Sequence, residues 1–240
     1  MGKLASKSTI SVVIPTLNES ENLPLLLSDL TLSKQNIEVI IIDAGSIDET
    51  IFNAEISGAK IHLINTPSRG KQLKTGAEIA SSEWLFFLHA DSRLDKNWFK
   101  VVNNIINKDQ NTKFAWYFDF KVKGYGIKYR ILEFAVFLRC ILLNRPYGDQ
   151  GLLINKKLYI KAGGFSEIEI MEDLDFILRL SKYQKPKRIK LPLYTSNRKW
   201  KNKNLIRQSF TNAILRIKWA NGENTSYLAR KYYQRKNNIN

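Results

Sequence analysis

Apolar runs alternate with segments of helical period along the first 90 residues of the chain. Runs at 11–15, 37–42 and 84–88 each end in polar residues, and a shorter run lies near 59–64. Between the first two, leucines at 23, 26, 27 and 30 recur at the spacing of one helical face. The runs are continuous, as is typical of strands buried on both faces of a parallel sheet. The pattern predicts a β-α-β-α-β-α-β order and a Rossmann-like α/β fold, an open, mostly parallel sheet flanked by helices.

Polar side chains follow these predicted strands. Asn18 and Glu19 follow the first, Asp43 ends the second, and His89 and Asp91 follow the fourth. In open parallel sheets ligands bind outside the carboxyl ends of the strands. Asp91 there would ligate a hard cation such as Mg²⁺, and His89 would shift the preference toward Mn²⁺. The sequence therefore predicts a ligand site at this edge, where Asp91 either holds a divalent cation as cofactor or only begins the next turn.

The second half of the chain is less regular. It predicts a strand at 114–122, a helix at 127–143, a glycine-rich turn around Asp149 and Gln150, and a helix that begins near Glu172 and Asp173. Beyond residue 192 the chain is basic and predicted to be loop-rich until a last helix at about 205–219. Two adjacent acids at a helix start repel each other, which raises one pKa, so either acid qualifies as a general base.

Composition narrows the classes of partner. The 240 residues carry a net charge of +16, and the stretch from Phe176 to Gly222 holds thirteen Lys and Arg without any Asp or Glu. Such a balance favours an anionic partner: nucleic acid, a lipid surface or a phosphorylated small molecule. The single cysteine, Cys140, forms no internal disulfide, which suits the cytoplasm. The dinucleotide G-x-G-x-x-G and P-loop patterns are both absent, which disfavours an oxidoreductase or a P-loop NTPase.

Four segments in order resemble the family 2 glycosyltransferases, whose fold is called GT-A. They are "SVVIPTLNESENL", "EVIIIDAGSIDET", "SRGKQLKTGAEIASSEWLFFLHADSRL" and "GGFSEIEIMEDLDFILRL". The segments "PYGDQGLLINKKLY" and "TSNRKW" further resemble a bacterial subgroup, the transferases associated with radical-SAM and selenoprotein-like domains. The resemblance covers about residues 9–182.

The resemblance implies a role for each matching position on the nucleotide side. Asp43 matches the acid that accepts a hydrogen bond from the base, usually uracil or guanine. Arg69 matches a basic residue that contacts the nucleotide. The other implied nucleotide-binding residues are Thr16, Asn18, Glu19 and Ala90.

The resemblance also implies the catalytic and metal positions. Asp91 matches the last acid of the family's D-x-D metal motif, which here begins with His89 and so lacks its first acid. Asp173 matches the catalytic base of inverting members. Acceptor or diphosphate contacts are expected at Glu172, and at Arg198 and Trp200 from a degenerate Q-x-x-R-W motif. The glycines around Asp149 and Gln150 permit a similar contact there, and an ordinary turn explains them equally.

The function so implied is transfer of a sugar from a UDP- or GDP-linked donor to an acceptor hydroxyl or phosphate, with inversion. We expect one GT-A domain over 1–240, with a nucleotide-binding half at 9–95, an acceptor and catalytic half at 96–195 and a basic portion at 196–240. The helix at 127–143 suits contact with the inner face of the cell membrane, and burial or a homodimer interface would explain it equally. Two alternatives stay open: a basic nucleic-acid-binding protein and a nucleotidyltransferase.

Overall fold

The structure is a computed structural model that describes residues 10–31, 37–65, 67–196 and 205–237, without the side chains of 205–210 and 233–237. The strands are β1 (Ile10–Thr16), β2 (Ile37–Asp43), β3 (Lys60–Leu63), β4 (Trp84–Phe87), β5 (Ser92–Leu94), β6 (Ala115–Lys123), β7 (Leu152–Asn155) and β8 (Lys187–Ser196). The helices are α1 (Leu23–Thr31), α2 (Thr50–Ile56), α3 (Arg69–Ile79), α4 (Trp98–Ile106), α5 (Ile127–Leu143), α6 (Lys156–Lys161), α7 (Glu172–Leu180), α8 (Leu205–Ala220) and α9 (Thr225–Asn237).

All eight of these strands join one sheet in the order β3-β2-β1-β4-β7-β6-β8-β5. The first four are mutually parallel, and β7 then runs antiparallel to both β4 and β6. Strand β8 is parallel to β6 and antiparallel to β5. The predicted fold class is confirmed, with the parallel arrangement concentrated in the first half of the chain.

The centre of the sheet is buried on both faces. On one face Val12 and Ile14 of β1 pack with the leucines of α1 and with Trp98 of α4. On the other, Val13 and its neighbours in β2 pack with α3 and α7. Two-sided burial explains why these strands are continuous apolar runs, since neither face meets water. The parallel order brings the carboxyl ends of β1, β2 and β4 to one edge.

Four elements were not predicted from the sequence: β5, α4, β8 and α9. The most informative is β8, because its sequence KRIKLPLYTS is rich in basic residues and contains a proline. Its lysines are exposed, whereas Ile189, Leu193 and Thr195 are buried. Opposite β6 the register shifts between Phe118 and Asp119, and the pairing resumes at Pro192, so an irregularity accommodates the proline. The loop predicted beyond residue 192 was wrong for 193–196, which complete β8.

Candidate active site

The carboxylate of Asp43 closes the turn that follows β2. The side chain is fully buried. Its Oδ1 accepts from the main-chain N–H groups of Gly45 and Ser46 at 2.9 and 2.7 Å. Its Oδ2 accepts from the hydroxyls of Ser46 and Thr16 at 2.6 and 2.7 Å. Thr16 and Asp43 are register partners at the ends of β1 and β2, so the strand order places them side by side. A carboxylate offers about four acceptor positions, so a further hydrogen-bond donor would bind here by replacing one of these four.

Asn18 and Glu19 form the facing side of this turn. The Asn18 side-chain oxygen accepts from the N–H of Ile47 at 2.9 Å, and its own N–H donates to the Ser46 hydroxyl at 2.8 Å. Asn18 adopts a φ of 54°, a left-handed conformation that asparagine tolerates. The N–H of Glu19 donates to the hydroxyl of Thr50 at 2.8 Å. The loops after β1 and β2 are therefore joined into one wall.

Gln72 of α3 is a residue that sequence reasoning missed. It is 5% exposed, and its amide nitrogen donates to the carbonyls of Thr16 and Ile42 at 2.9 and 2.7 Å. It thereby ties the ends of β1 and β2 beneath the Asp43 turn. The available signal was a polar residue between the buried positions of a helix, but nothing in the sequence indicated its partners.

The segment after β4 carries the predicted metal residues. The N–H of Leu88 donates to the carbonyl of Val13, which holds the segment beside β1. Ala90 and Asp91 are both buried, and Oδ2 of Asp91 accepts from the hydroxyl of Thr195 at 3.2 Å. Within the described ranges no group of three His, Cys, Asp or Glu side chains could hold a metal ion.

A resident metal cage is therefore not built from the described side chains. Asp91 is nevertheless a hard oxygen donor at the edge where ligands bind, with the His89 imidazole two residues away. Mg²⁺ is commonly bound by one or two carboxylates and completed by substrate phosphates and water. These residues thus fit a cation that shares its coordination with a bound diphosphate, and they do not suit one held by protein alone.

Asp173 and His89, from distant parts of the chain, meet at Gly148. The N–H of Gly148 donates to Oδ2 of Asp173 at 2.9 Å. A side-chain carbon added to Gly148 would lie 2.5 Å from that oxygen, 2.8 Å from Oδ1 and 2.6 Å from Nε2 of His89. His89, Gly148 and Asp173 line one pocket, together with Tyr147 and several apolar side chains. The structure therefore places the predicted base in a pocket beside an imidazole.

Glu172 lies next to Asp173 and is more deeply buried, at 4% exposure. Burial raises its pKa to about 8, the charge of Asp173 adds to the rise, and Arg69 opposes it. The Arg69 guanidinium lies 3.7 Å from the Glu172 carboxylate. Burial likewise raises the pKa of Asp173, although Arg69 and the Gly148 N–H oppose that shift. Met171, just before the pair, has a φ of 67°, which is uncommon for this residue type and marks local strain.

Gln150 has a structural role in this arrangement. Its amide oxygen accepts from Nη2 of Arg139 at 2.9 Å and from the N–H of Tyr147 at 3.3 Å, and its nitrogen donates to the Phe118 carbonyl. The Arg139 guanidinium also stacks 3.7 Å from the Tyr147 ring centre. These contacts fix the turn that carries Gly148. Asp149 lies in the same turn, and its charge helps to raise the pKa of Asp173.

Arg198 and Trp200 lie outside the described residues. The other predicted site residues fall into two groups at one edge of the sheet: the turns after β1 and β2, and the cluster of His89, Gly148 and Asp173 with Glu172 and Arg69.

The model of one protein family, Glycosyl transferase family 2, matches residues 11–166. The chain belongs to glycosyl transferase family 2. The match runs from β1 past β7 and includes the Asp43 turn, the segment after β4 and Gly148. The family predicted from the four sequence motifs is thereby confirmed.

Two curated relatives illustrate the range of similarity. An uncharacterized glycosyltransferase of Haemophilus influenzae is 26% identical over 180 residues, which cover 71% of this chain and 61% of the relative. The 4,4'-diaponeurosporenoate glycosyltransferase of Staphylococcus haemolyticus is 33% identical over 94 residues, covering 36% of this chain and 25% of the relative. The chain thus spans less than two thirds of either protein.

Solved structures share the fold at low sequence identity. S. aureus TarS 1–349 in complex with UDP-GlcNAc aligns with a TM-score of 0.61 and 17% identity, over 79% of this chain and 59% of that one. Glucosyl-3-phosphoglycerate synthase from Mycobacterium tuberculosis, in complex with Mn²⁺, UDP and glucosyl-3-phosphoglycerate, aligns with a TM-score of 0.57 and 19% identity, over 85% of this chain and 76% of that one. These relatives give no support to the nucleic-acid-binding or nucleotidyltransferase alternatives.

Proposed function

We propose that the protein transfers a sugar from a nucleoside-diphosphate donor to an acceptor hydroxyl or phosphate, with inversion at the anomeric carbon. The observation that carries the proposal is the Asp173 carboxylate, fixed by the Gly148 N–H in a pocket lined by His89, close to the carboxyl ends of the parallel strands. In the proposed division, residues 9–95 bind the donor, and residues 96–195 bind the acceptor and carry out catalysis. Residues 196–240 form the basic C-terminal portion.

Asp173 acts as the general base. With Oδ2 held by Gly148, Oδ1 takes the proton of the acceptor hydroxyl as that oxygen bonds to the anomeric carbon. The bond from this carbon to the diphosphate oxygen breaks in the same displacement, and the diphosphate leaves from the opposite face. A base is more effective when its pKa approaches the working pH, and burial moves the pKa of Asp173 in that direction.

Charge develops on the leaving diphosphate. Arg69, with its side chain about half exposed, supplies one cationic donor near the catalytic pair. A divalent cation carried by Asp91, with His89 nearby, would supply Lewis-acid stabilisation of the diphosphate. Support for Mg²⁺ or Mn²⁺ comes from the mycobacterial synthase, whose structures hold UDP with either ion.

The nucleoside is proposed to lie against the joined turns after β1 and β2. In this pose Asp43 gives up the Ser46 hydroxyl and accepts from the base instead, while its bonds to main-chain N–H groups persist. Thr16, Asn18, Glu19 and Ala90 complete the proposed nucleoside side. UDP is the preferred candidate because the fold relatives TarS and the mycobacterial synthase are found with UDP or UDP-GlcNAc.

The remaining predictions belong to the same proposal. We place the chain in the radical-SAM-associated subgroup on the motifs quoted above, and assign it to the cytoplasm with contact at the inner membrane face. No helix of the described residues is long and apolar enough to cross a membrane. Three points stay predictions: a lipid-linked acceptor, a homodimer, and acceptor contacts at Asp149, Glu172, Arg198 and Trp200.

A donor screen with two variants tests the proposal. Thermal stability is measured with UDP- and GDP-sugars in Mg²⁺, Mn²⁺ or EDTA, and release of nucleoside diphosphate is followed with candidate acceptors. We expect at least one nucleotide sugar to stabilise the protein. Asp173→Asn should retain this stabilisation and lose transfer by roughly a thousandfold, since it removes the general base.

Asp109→Asn is the matched control, because Asp109 is exposed in a turn away from the pocket. It should behave as the wild type does. Stabilisation by no nucleotide sugar in any metal condition would contradict the proposed donor. Loss of donor binding in Asp173→Asn would remove Asp173 from the role of base, and release of pyrophosphate would identify a nucleotidyltransferase instead.

A further inference from the structure

Helix α5 is apolar on the side that faces away from the protein. Nine large apolar or aromatic side chains in the segment 125–143 are exposed, more than in any other segment of that length among the described residues. Tyr129, Glu133, Val136 and Cys140 form the buried side of the helix. Opposite them lies a continuous stripe at the helical spacing, formed by Ile127, Ile131, Phe134, Leu138, Ile141 and Leu142. We call this stripe the outer face of α5.

The exposure of these side chains is large. Ile131 is 63% exposed and Leu142 is 71% exposed. Scattered apolar side chains are normal on a protein surface, but a contiguous patch marks an interaction site. The helix has 17 residues, so this stripe extends for about 25 Å. The outer face therefore has the dimensions of a docking surface.

The charges beside the outer face indicate which class of partner it binds. Lys123 precedes the helix, and Lys128 and Arg130 lie on its two flanks, all three exposed. The one acid of the helix, Glu133, is buried and accepts from Lys121, Arg130 and the Val122 N–H. A second copy of this chain, packed through the same face, would bring further basic side chains to it. Its α5 has no exposed acidic side chain to pair with them. An anionic leaflet supplies both the hydrocarbon and the opposite charge.

The outer face adjoins the candidate active site. A pocket of about 280 Å³ lies between β6, α5 and β8, and it is lined by Phe134 and Phe137 of α5 and by Gln150. Gln150 also holds the turn that carries Gly148. A chain bound through α5 would thus hold its catalytic pocket close to the bilayer surface.

We propose that the outer face of α5 inserts into the interface of an anionic lipid bilayer and anchors the protein there as a monotopic membrane protein. Fully exposed Tyr125, at the start of the segment, lies at headgroup level, where amphipathic aromatic side chains are favoured. Lys123, Lys128 and Arg130 contact the lipid phosphates. The apolar stripe supplies the component of binding that salt does not screen.

Vesicle flotation tests this proposal. The full chain is mixed with vesicles of phosphatidylcholine alone or of equal parts phosphatidylcholine and phosphatidylglycerol, at low and high salt. The wild type should float with the anionic vesicles and less with the neutral ones. Ile131→Glu/Leu142→Glu should lower the bound fraction by about tenfold at both salt concentrations, because it places charge in the inserted stripe. Lys123→Gln/Lys128→Gln should weaken binding mainly at low salt.

The matched control is Phe52→Glu/Ile160→Glu, which alters side chains of comparable exposure, 58% and 64%, on α2 and α6. It should float as the wild type does. Thermal melting and nucleotide-sugar binding of the α5 variant should stay unchanged, which separates this proposal from the proposed activity. The proposal would be overturned if the α5 variant floated as well as the wild type does. It would also be overturned if the wild type were a dimer that does not float and the α5 variant were a monomer.

Discussion

The main-chain N–H of Gly148 donates to the Asp173 carboxylate over 2.9 Å, and the two residues are so close that no side chain fits at 148. The contact joins the turn before β7 to the first turn of α7. It fixes one carboxylate oxygen and leaves the other for a substrate proton. Gly148 is needed here for its lack of a side chain, and the hydrogen bond alone would not require glycine.

The first prediction is that Gly148→Ala inactivates the enzyme without unfolding it. The new methyl group would lie within 2.8 Å of both Asp173 oxygens and within 2.6 Å of His89 Nε2, so the carboxylate must move. A misplacement of about 1 Å at a reacting group costs roughly a hundredfold in rate. Steady-state kinetics should show kcat falling by that factor, with the KM for the donor within about twofold of wild type.

Gly58→Ala serves as the control for this variant. Gly58 has a φ of 74° and open space around it, so alanine there adds backbone strain without a clash. We expect a small loss of stability, about 1 kcal/mol, and unchanged kcat. Full activity in Gly148→Ala would show that the Asp173 position is not critical.

The second prediction concerns Gln72, which joins the ends of β1 and β2. Gln72→Leu removes the donors to the Thr16 and Ile42 carbonyls, both of which lie in buried strands. We expect a loss of roughly 2 kcal/mol of unfolding free energy, and a Tm lower by about 4–8 °C in a domain of this size. Thermal denaturation measures the change.

The same variant should bind donor more weakly, because the Asp43 turn is built on those strand ends. Gln110→Leu, at an exposed position in a turn, should leave both the Tm and donor binding as they are in wild type. Equal Tm values for Gln72→Leu and Gln110→Leu would contradict the assigned role of Gln72.

The first half of the fold was predictable because its main strands are continuous apolar runs in the sequence. A continuous run such as that of β2 has few alternatives to a buried parallel strand, and parallel neighbours must end at one edge. That rule places Thr16 and Asp43 at the same edge, and the structure shows that they are register partners. The presence of α5 was also predictable, with both of its ends.

The contacts across the chain were not predictable in the same way. Gly148 and Asp173 are 25 residues apart, and their contact depends on the placement of β7 and α7 against each other. The sequence did not predict β8, because the segment contains lysines and Pro192 and shows no regular alternation. Only Ile189, Leu193 and Thr195 of this strand are deeply buried. Family resemblance named Asp173, but the reason for a glycine at 148 required the packed structure.

The last prediction is a pH dependence of stability caused by Glu172. Burial, with the charge of Asp173, raises its folded pKa to about 8, whereas the ordinary value is 4.5. Between these values the unfolded chain has released the proton that the folded chain retains, so unfolding becomes more favourable as pH rises from about 4.5 to about 8. The stability cost is absent below pH 4.5 and complete above pH 8.

Glu172→Gln removes the ionising group, so its Tm should exceed the wild-type value by more at pH 8 than at pH 5. Glu55→Gln, at an exposed position on α2, should show no such pH-dependent gain. An equal Tm difference at both pH values in Glu172→Gln would mean that Glu172 titrates normally in the folded chain.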